Sequence, residues 1–568
     1  MTRHSRQAAI RIGLVAVPLV YLGVLYFLPI GGLLAFGSGR ATYREVLSNS
    51  FYWEILGNTF LFAGKVTLFA LLVGYPITAF ACVSSPRLSK LVIFCSTIPL
   101  WTSILARSYA WFTVLDRRGI VNELFRQLHL TDRPVSLSHT NFAAIVASVY
   151  IMLPLMVVTL YASMRTIDLN VVRAARTLGA SPMQAFARGF LPLSIPGVVS
   201  GCLLVFIVSL GFYVTPALLG APSDRTFSML IAQQIGNLGD FEAAAALSAV
   251  LLLSTVMFLV IFGIVVGFEQ FVGRGSGVNV PLSRGYGPAI SRIVDIAGPI
   301  LLWAESRYFW SFFVAVAVAF IVLPYFALVP MSISGAEYLR FPPEPLSTRW
   351  YVTAFHDPRW VSAGISSIIV AIGATLLATI VGLMAAVGIR EMPRRTAQLM
   401  LTLLLVPAMV PTMIYSVASY LAAAKAGLVD TYLSLVLAHS TLGLPFVVVI
   451  CATGLGGIKR SIEQAAQSLG AGPFNRFFRI TLPLIVPSVL AGALVAFQTS
   501  FDEVIVALFL SGVETRTLPK AMWTASTQEI TPIIPAVAVV VLIVILAIAI
   551  GVFTLSRIFR PRTRRIPR

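Results

Sequence analysis

Long apolar segments separated by short polar loops run through the whole chain. Twelve segments hold about 20 or more mostly apolar residues, the length that one membrane-crossing helix needs. Their predicted bounds are about 12–36, 58–83, 91–115, 141–163, 195–220, 243–270, 309–333, 362–389, 397–421, 431–455, 485–511 and 533–557. None shows the strict alternation of a membrane β-barrel strand. The pattern predicts an all-α polytopic membrane protein of about 12 transmembrane helices.

Composition supports the same class of protein. Of the 568 residues, 58% are hydrophobic and only 11% are charged, and the mean hydropathy is +0.90. A water-soluble fold does not bury that much apolar surface, so we expect a lipid bilayer to surround the chain. The first apolar segment lacks a small-residue cleavage site and is predicted to be a retained span, not a signal peptide.

The formal net charge is +19, and the basic residues that produce it are concentrated in every second loop. More than half of the 41 Lys and Arg residues lie in loops on the same side as the N-terminus. Cytoplasmic loops of membrane proteins carry this excess, so both termini are predicted to be cytoplasmic. No basic, aromatic module stands apart from the apolar segments, and we expect no nucleic acid partner.

The cysteines and histidines indicate no metal or catalytic site. Cys82, Cys95, Cys202 and Cys451 fall in or beside apolar segments and have no paired spacing. The five histidines show no H-E-x-x-H spacing. We expect no bound metal and no cofactor.

Two loops on the N-terminal side carry the same motif. The first copy reads Arg173-Ala-Ala-Arg-Thr-Leu-Gly179, and the second, 291 residues later, reads Gln464-Ala-Ala-Gln-Ser-Leu-Gly470. Upstream, Pro99 and Pro407 match at an offset of 308, so the first half holds 17 extra residues. The duplication predicts two parallel six-helix halves. The first is 1–270 with its loop at about 164–192, 271–308 is a cytoplasmic linker, and the second is 309–568 with its loop at about 456–483.

Each repeated loop is predicted to form a short helix, a glycine turn and a second helix. Ser461 and Gln464 suit a capping box before a helix over Ile462–Leu469 that Gly470 ends. In the first copy, Asp168 or Asn170 is the candidate cap and Gly179 ends the helix. The paired alanines leave a small-residue face that another protein can approach. The alternative is an internal helical hairpin that was duplicated with the fold.

The duplicated motif resembles the EAA…G cytoplasmic motif of bacterial ABC importer permeases, here with two permease domains fused in one chain. The resemblance implies an inner-membrane transport subunit with two copies of a separate ABC ATPase and an extracytoplasmic solute-binding protein as partners. No G-x-x-x-x-G-K-[ST] sequence occurs, so we expect no ATPase site of its own. The motif's Glu is replaced by Arg173 and Gln464. The residues implied to couple to the ATPase are Arg173, Ala174, Ala175, Gly179, Glu463, Gln464, Ala465, Ala466 and Gly470.

Two adjacent acids, Asp502 and Glu503, fall inside the eleventh apolar segment. Charge at that depth is costly unless it faces a cavity or a partner. On a continuous helix the two would point about 100° apart, with Phe509 on the face of Asp502. A carboxylate near an aromatic ring suits an ammonium group. The alternatives are an internal ion pair with a basic residue such as Lys65 or Arg107, or a position near the outer membrane interface.

The segments around these acids resemble spermidine/putrescine permeases. The resemblance rests on Phe501-Asp-Glu-Val-Ile-Val-Ala-Leu-Phe509 in the second half and on Phe212-Tyr-Val-Thr-Pro216 in the first. It implies that a polyamine or related organic amine is carried. The predicted substrate pathway comprises Asp502, Glu503, Phe509, Phe212 and Tyr213. A ferric-iron importer stays open because fused permeases are familiar there, and a secondary transporter needing no ATPase is the alternative from another class.

Overall fold

The computed structural model describes residues 3–36, 40–266, 307–338, 341–528 and 531–558. Nearly all of the predicted linker 271–308 lies outside the described residues. Within them, ten helices are long and apolar enough to cross a membrane. Two bent helix pairs raise the number to twelve if each pair counts as one span. The predicted all-α polytopic class is confirmed.

We number the spans 1 to 12 in chain order. Spans 1 to 6 are Gly13–Phe36, Ser50–Val83, the bent pair Pro86–Trp101 and Ile104–Gln127, Asn141–Met164, Arg188–Leu210 and Phe241–Val265. Spans 7 to 12 are Trp310–Ser332, Pro358–Arg390, the bent pair Arg394–Met409 and Thr412–Lys425, Tyr432–Gly456, Pro473–Phe501 and Ile533–Ser556. Each predicted segment overlaps one observed span.

Spans 3 and 9 are bent, which the hydropathy pattern did not predict. The two pieces meet at 101° in span 3 and at 90° in span 9. Pro99 lies in the 3-10 turn Ile98–Trp101, and Pro411 directly precedes the second piece of span 9. Proline has no N–H and cannot extend a helical ladder. Inside a membrane the freed backbone groups need other partners, so these bends are places where the two halves of the chain can meet.

Spans 5 and 11 end earlier than predicted. The helix of span 5 ends at Leu210 and a short helix follows over Val214–Leu219. The helix of span 11 ends at Phe501 and its short helix covers Ile505–Leu510. The continuous helices predicted over 195–220 and 485–511 are therefore wrong. Both breaks fall at the same repeat positions, 291 residues apart, so the break belongs to the repeated unit.

The core of each half is a trio of spans. Spans 2, 4 and 5 pack on one another, and spans 8, 10 and 11 do the same. Glycine permits close approach at one equivalent point in each trio, since a Cβ on Gly74 would lie 3.0 Å from Met156 and one on Gly382 would lie 2.7 Å from Val447. The first spans are exchanged: span 1 packs on spans 8 and 9, and span 7 packs on spans 2 and 3 as well as on span 12.

Candidate functional site

The two repeated loops fold alike. Loop helix 1 covers Asn170–Thr177 and loop helix 2 covers Arg460–Ser468. Gly179 and Gly470 follow them with φ of +91° and +86°, the left-handed conformation that glycine adopts without strain. The N–H groups of Ala180 and Ala471 then donate to carbonyls five residues earlier, at 3.1 and 3.0 Å. The predicted glycine C-terminal turns are confirmed.

The starts of the loop helices differ from the prediction. Loop helix 2 begins at Arg460, so Ser461 lies inside its first turn and the predicted capping box is wrong. A tertiary contact holds this start, because the Arg460 Nη2 group donates to the Arg390 carbonyl at 3.3 Å. In the first loop the N-cap position is Leu169, between the two candidate caps, and Asp168 Oδ1 accepts from Asn170 N at 2.9 Å.

A leucine stands exposed at the tip of each loop. Leu178 and Leu469 directly precede the two turn glycines, and each is 88% exposed. Both leucines lie within the repeated motif, and no role was predicted for them. Their signal was available, because a leucine precedes glycine in both copies while the polar positions of the motif vary.

The other predicted coupling residues divide between two faces of the loop helices. Arg173, Ala174, Gln464 and Ala465 are exposed. Ala175 is half-buried and Ala466 is buried against the membrane domain. Glu463 also faces the membrane domain, where Arg390 Nη2 lies 3.1 Å from its Oε2 atom. Each loop therefore presents a small-residue face and one leucine outward.

Asp502 joins the two halves at the break after span 11. Its Oδ1 atom accepts from Ile104 N at 2.8 Å, the first N–H of the second piece of span 3. Its Oδ2 atom lies 3.6 Å from Arg107 Nη2, and the two side chains are 16% and 8% exposed. A carboxylate at a helix N-terminus is favoured by the unpaired N–H groups there. The ion pair with Arg107 is one of the alternatives that the sequence left open.

Glu503 caps the short helix that follows it. Its Oε1 atom accepts from Ile505 N at 2.9 Å and from Val506 N at 3.0 Å. Because the helix of span 11 ends at Phe501, the expected 100° separation of the two acids and the shared face with Phe509 are wrong. Hydropathy could not reveal the break, since the flanking residues are apolar on both sides.

The equivalent point in the first half has no charge. Gly211 occupies the position 291 residues before Asp502, and it lies against the N-terminus of the second piece of span 9. A Cβ on Gly211 would come within 3.0 Å of Pro411 Cβ and 3.3 Å of Thr412 N. One seam between the halves is therefore closed by an ion pair and the other by close backbone packing.

An open cavity of about 760 Å³ lies between the halves near these breaks. Tyr213 and Phe509 line it, while Asp502, Glu503 and Phe212 are not among its lining residues. Aromatic side chains from both halves meet there, and the rings of Tyr213 and Trp523 lie 5.1 Å apart. Two cations also line it: Arg225 is exposed, and Lys520 donates to the carbonyls of Leu508 and Ser511. We call this cavity the vestibule.

A single carboxylate, that of Asp430, fixes the loop beside the vestibule. Asp430 accepts five hydrogen bonds from residues 512–515, including one from the Thr515 hydroxyl at 2.6 Å. Burial raises the pKa of this carboxyl, but the hydrogen bonds from Thr515 and the loop N–H groups outweigh burial and lower it to about 2. Asp430 therefore holds the loop after the short helix Ile505–Leu510 against the loop after span 9.

The residues that the structure describes contain no group of three or more His, Cys, Asp or Glu side chains placed to hold a metal ion.

Sequence comparison matches both halves of the chain to one family. The family of binding-protein-dependent transport system inner membrane components matches residues 14–274 and again 378–565. The spermidine/putrescine transport system permease protein PotB of Salmonella typhimurium is 35% identical over 216 residues, which are 38% of this chain and 75% of that protein. PotC of Haemophilus influenzae is 31% identical over 247 residues, 43% of this chain and 95% of that protein.

Two other transport proteins are also similar to this chain. The inner membrane ABC transporter permease protein YdcU of Escherichia coli is 26% identical over 270 residues, 43% of this chain and 85% of that protein. Among solved structures, a bacterial alginate ABC transporter in complex with an alginate pentasaccharide-bound periplasmic protein matches 48% of this chain and 98% of its own. Its identity is 16% and the TM-score is 0.39.

Proposed function

The chain belongs to the family of binding-protein-dependent transport system inner membrane components, and we propose that it carries a polyamine or related organic amine across the membrane. It is an ABC importer permease of the inner membrane with both permease domains fused in one chain. Three further features are proposed: the solute, the partner proteins and the residues that contact them. The twin exposed leucines on the repeated loops carry the partner assignment.

The loop tips are proposed to dock one ATPase subunit each. Each leucine is 88% exposed, and moving its side chain from water into an apolar pocket of another protein lowers the free energy. Because Leu178 and Leu469 stand at equivalent positions on two alike turns, one kind of ATPase surface fits both. Two loops therefore require two copies. The excess of basic residues on this side supports a cytoplasmic location for the loops, where ATP is available.

Closure of the two ATPase subunits would then move the two trios of spans relative to each other. Each loop helix lies between two members of its own trio, spans 4 and 5 in the first half and spans 10 and 11 in the second. The two halves meet at the breaks after spans 5 and 11, where Asp502 contacts Ile104 of span 3 and Gly211 contacts Pro411 in the bend of span 9. A relative movement there changes the width of the vestibule. A solute-binding protein on the outer side would supply the solute to it.

The aromatic lining of the vestibule supports an amine as the solute. Tyr213, Tyr420, Phe509 and Trp523 offer ring faces to an ammonium group. The relatives PotB and PotC are named as spermidine/putrescine permeases. Lys520 and Arg225 also line the vestibule, and their positive charges oppose tight binding of a cationic amine. A pathway needs weak sites that release the solute, and we assign recognition to the binding protein.

Uptake into proteoliposomes tests the assignment. The chain is reconstituted with its ATPase and binding protein, and uptake of labelled putrescine, spermidine and ferric iron is compared. We expect ATP-dependent uptake of an amine. Trp523→Leu should raise the half-saturating amine concentration several-fold, while Trp53→Leu, at an exposed tryptophan that does not line the vestibule, leaves it unchanged. Uptake without the ATPase would overturn the importer, and uptake of iron alone would overturn the amine.

A further inference from the structure

Loop helix 2 is tied to spans 8 and 11 by the two oxygens of one carboxylate. Glu463 Oε2 lies 3.1 Å from Nη2 of Arg390, the last residue of span 8. Glu463 Oε1 accepts from the Thr481 hydroxyl at 2.9 Å, directly before the helix Leu482–Phe501. Arg390 and Glu463 are 13% and 15% exposed, and Thr481 is buried. Shielding from water makes these charge-assisted contacts stronger than those of an exposed pair.

Backbone contacts reinforce the same junction. Arg390 Nη2 also donates to the Ile458 carbonyl at 3.1 Å, just before loop helix 2. In return, Arg460 Nη2 donates to the Arg390 carbonyl at 3.3 Å. The end of span 8 therefore holds both the entry and the first turn of loop helix 2.

The first half has apolar residues at all three equivalent positions. The repeat offsets place Cys82 opposite Arg390, Val172 opposite Glu463 and Phe190 opposite Thr481. These three side chains belong to, or pack against, a large hydrophobic cluster that contains residues of both halves. Among the described residues, no ion pair joins loop helix 1 to a transmembrane span.

This difference has a mechanical meaning that rests on the proposed docking of ATPase subunits. We propose that Arg390 and Thr481 are positioning residues that hold loop helix 2, through Glu463, in fixed geometry against spans 8 and 11. Directional, charge-assisted contacts resist sliding, whereas apolar contacts tolerate it. Loop helix 2 therefore transmits the larger share of the ATP-driven movement. Span 11 carries that movement to Asp502 and the seam with span 3.

Hydrogen exchange on the full chain alone tests the positioning claim. Glu463→Gln removes the charge with little change of shape, and we expect amide exchange within 460–468 to rise about tenfold while 170–177 is unchanged. Val172→Ala is the matched first-half control and should leave 460–468 unchanged. The double exchange Arg390→Glu with Glu463→Arg should restore part of the protection, because it re-forms the ion pair but not the hydrogen bond from residue 390 to the Ile458 carbonyl. Unchanged exchange in 460–468, or an equal rise in both loop helices, overturns the claim.

A distance measurement on the complex tests transmission. Spin labels at Leu130 and Val513, both exposed and outside the spans, report the vestibule side, and the ATPase is trapped with ADP and vanadate. We expect the trapped-state distance shift to fall at least twofold in Glu463→Gln and to change less in Val172→Ala. Equal loss in both variants, or no shift in the wild-type complex, overturns transmission through loop helix 2. Failure of the wild-type chain to bind the ATPase counts against the proposed function, and the exchange result still decides the positioning claim.

Discussion

Truncating the loop leucines should weaken ATPase binding without unfolding the permease. Full burial of a leucine side chain is worth about 1.5–3 kcal/mol. Leu178 and Leu469 are each 88% exposed, so almost all of that surface is free to be buried on docking. Alanine keeps only the Cβ, and we expect each substitution to lose about 2 kcal/mol, or roughly 30-fold in Kd.

The double variant sharpens the same prediction. The two leucines lie on separate loops and are proposed to contact separate subunits, so their effects should add to about 4 kcal/mol, roughly a thousandfold in Kd for a paired ATPase. Binding is measured by titrating labelled ATPase onto the permease in nanodiscs. The melting temperature of the permease alone should not change, because neither side chain is buried in it.

An apolar side chain of similar exposure, at the opposite end of the spans from the repeated loops, serves as the control. Val513 is 84% exposed in the loop held by Asp430, and Val513→Ala should not affect ATPase binding. Wild-type affinity in the double leucine variant would refute docking through the loop tips. An equal loss in Val513→Ala would show that exposure of an apolar side chain, and not its place in the repeat, determined the result.

Three other substitutions test the turn, the outer loop and the seam. Gly470→Val places a β-branched residue at φ +86° and strains the backbone by about 1–2 kcal/mol, although no atom lies within 4 Å of the added Cβ. We expect normal membrane insertion and reduced ATP-driven uptake. Asp430→Ala leaves the donors of 512–515 without their acceptor and should speed proteolysis of that loop at neutral pH. The folded-state pKa of Asp430 is about 2, below its usual value, so in the wild type this stabilisation is present above pH ~4 and is lost as the pH falls toward 2. Asp502→Asn leaves Arg107 buried without its counter-ion, and loss of a buried partner costs about 3–5 kcal/mol, so the melting temperature should fall.

Each of these expectations has a contrary result. Full uptake by Gly470→Val would show that the turn does not need the left-handed conformation. Wild-type resistance of the Asp430→Ala loop to protease would show that the five hydrogen bonds are redundant. For the seam, a double-mutant cycle of Asp502→Asn with Arg107→Met should give a coupling energy, and strict additivity would contradict the ion pair.

The spans, the repeat and the loop turns could be predicted because each rests on a local pattern. Each of the twelve apolar segments overlaps a span in the described part of the chain when each bent pair is counted as one, and glycine after a short helix gives a left-handed turn at Gly179 and Gly470. The breaks after Leu210 and Phe501 could not be predicted, because hydropathy is the same on both sides of each break. A three-residue interruption of the helix does not change the mean hydropathy over a window as long as a span.

Side-chain partners across the fold were also out of reach of sequence reasoning. Asp502 could be identified as unusual from its depth, but the sequence could not choose between a solute and an arginine nearly 400 positions away. Glu463 was assigned to the ATPase surface because it adjoins the motif, and its contact with Arg390 depends on where span 8 ends. A motif shows which residues recur, and the fold decides which way each one faces.

The exchange of first spans has a consequence for biosynthesis. Span 1 packs on spans 8 and 9, which are translated more than 300 residues after it. At about 5–20 residues per second, span 1 would wait roughly 20 to 70 seconds in the bilayer before its neighbours emerge from the ribosome. During that interval lipid, or a membrane chaperone, must cover the surface that spans 8 and 9 later occupy. Expressing the two halves as separate polypeptides would make this pairing intermolecular, so each half should be unstable unless both are synthesised in the same cell.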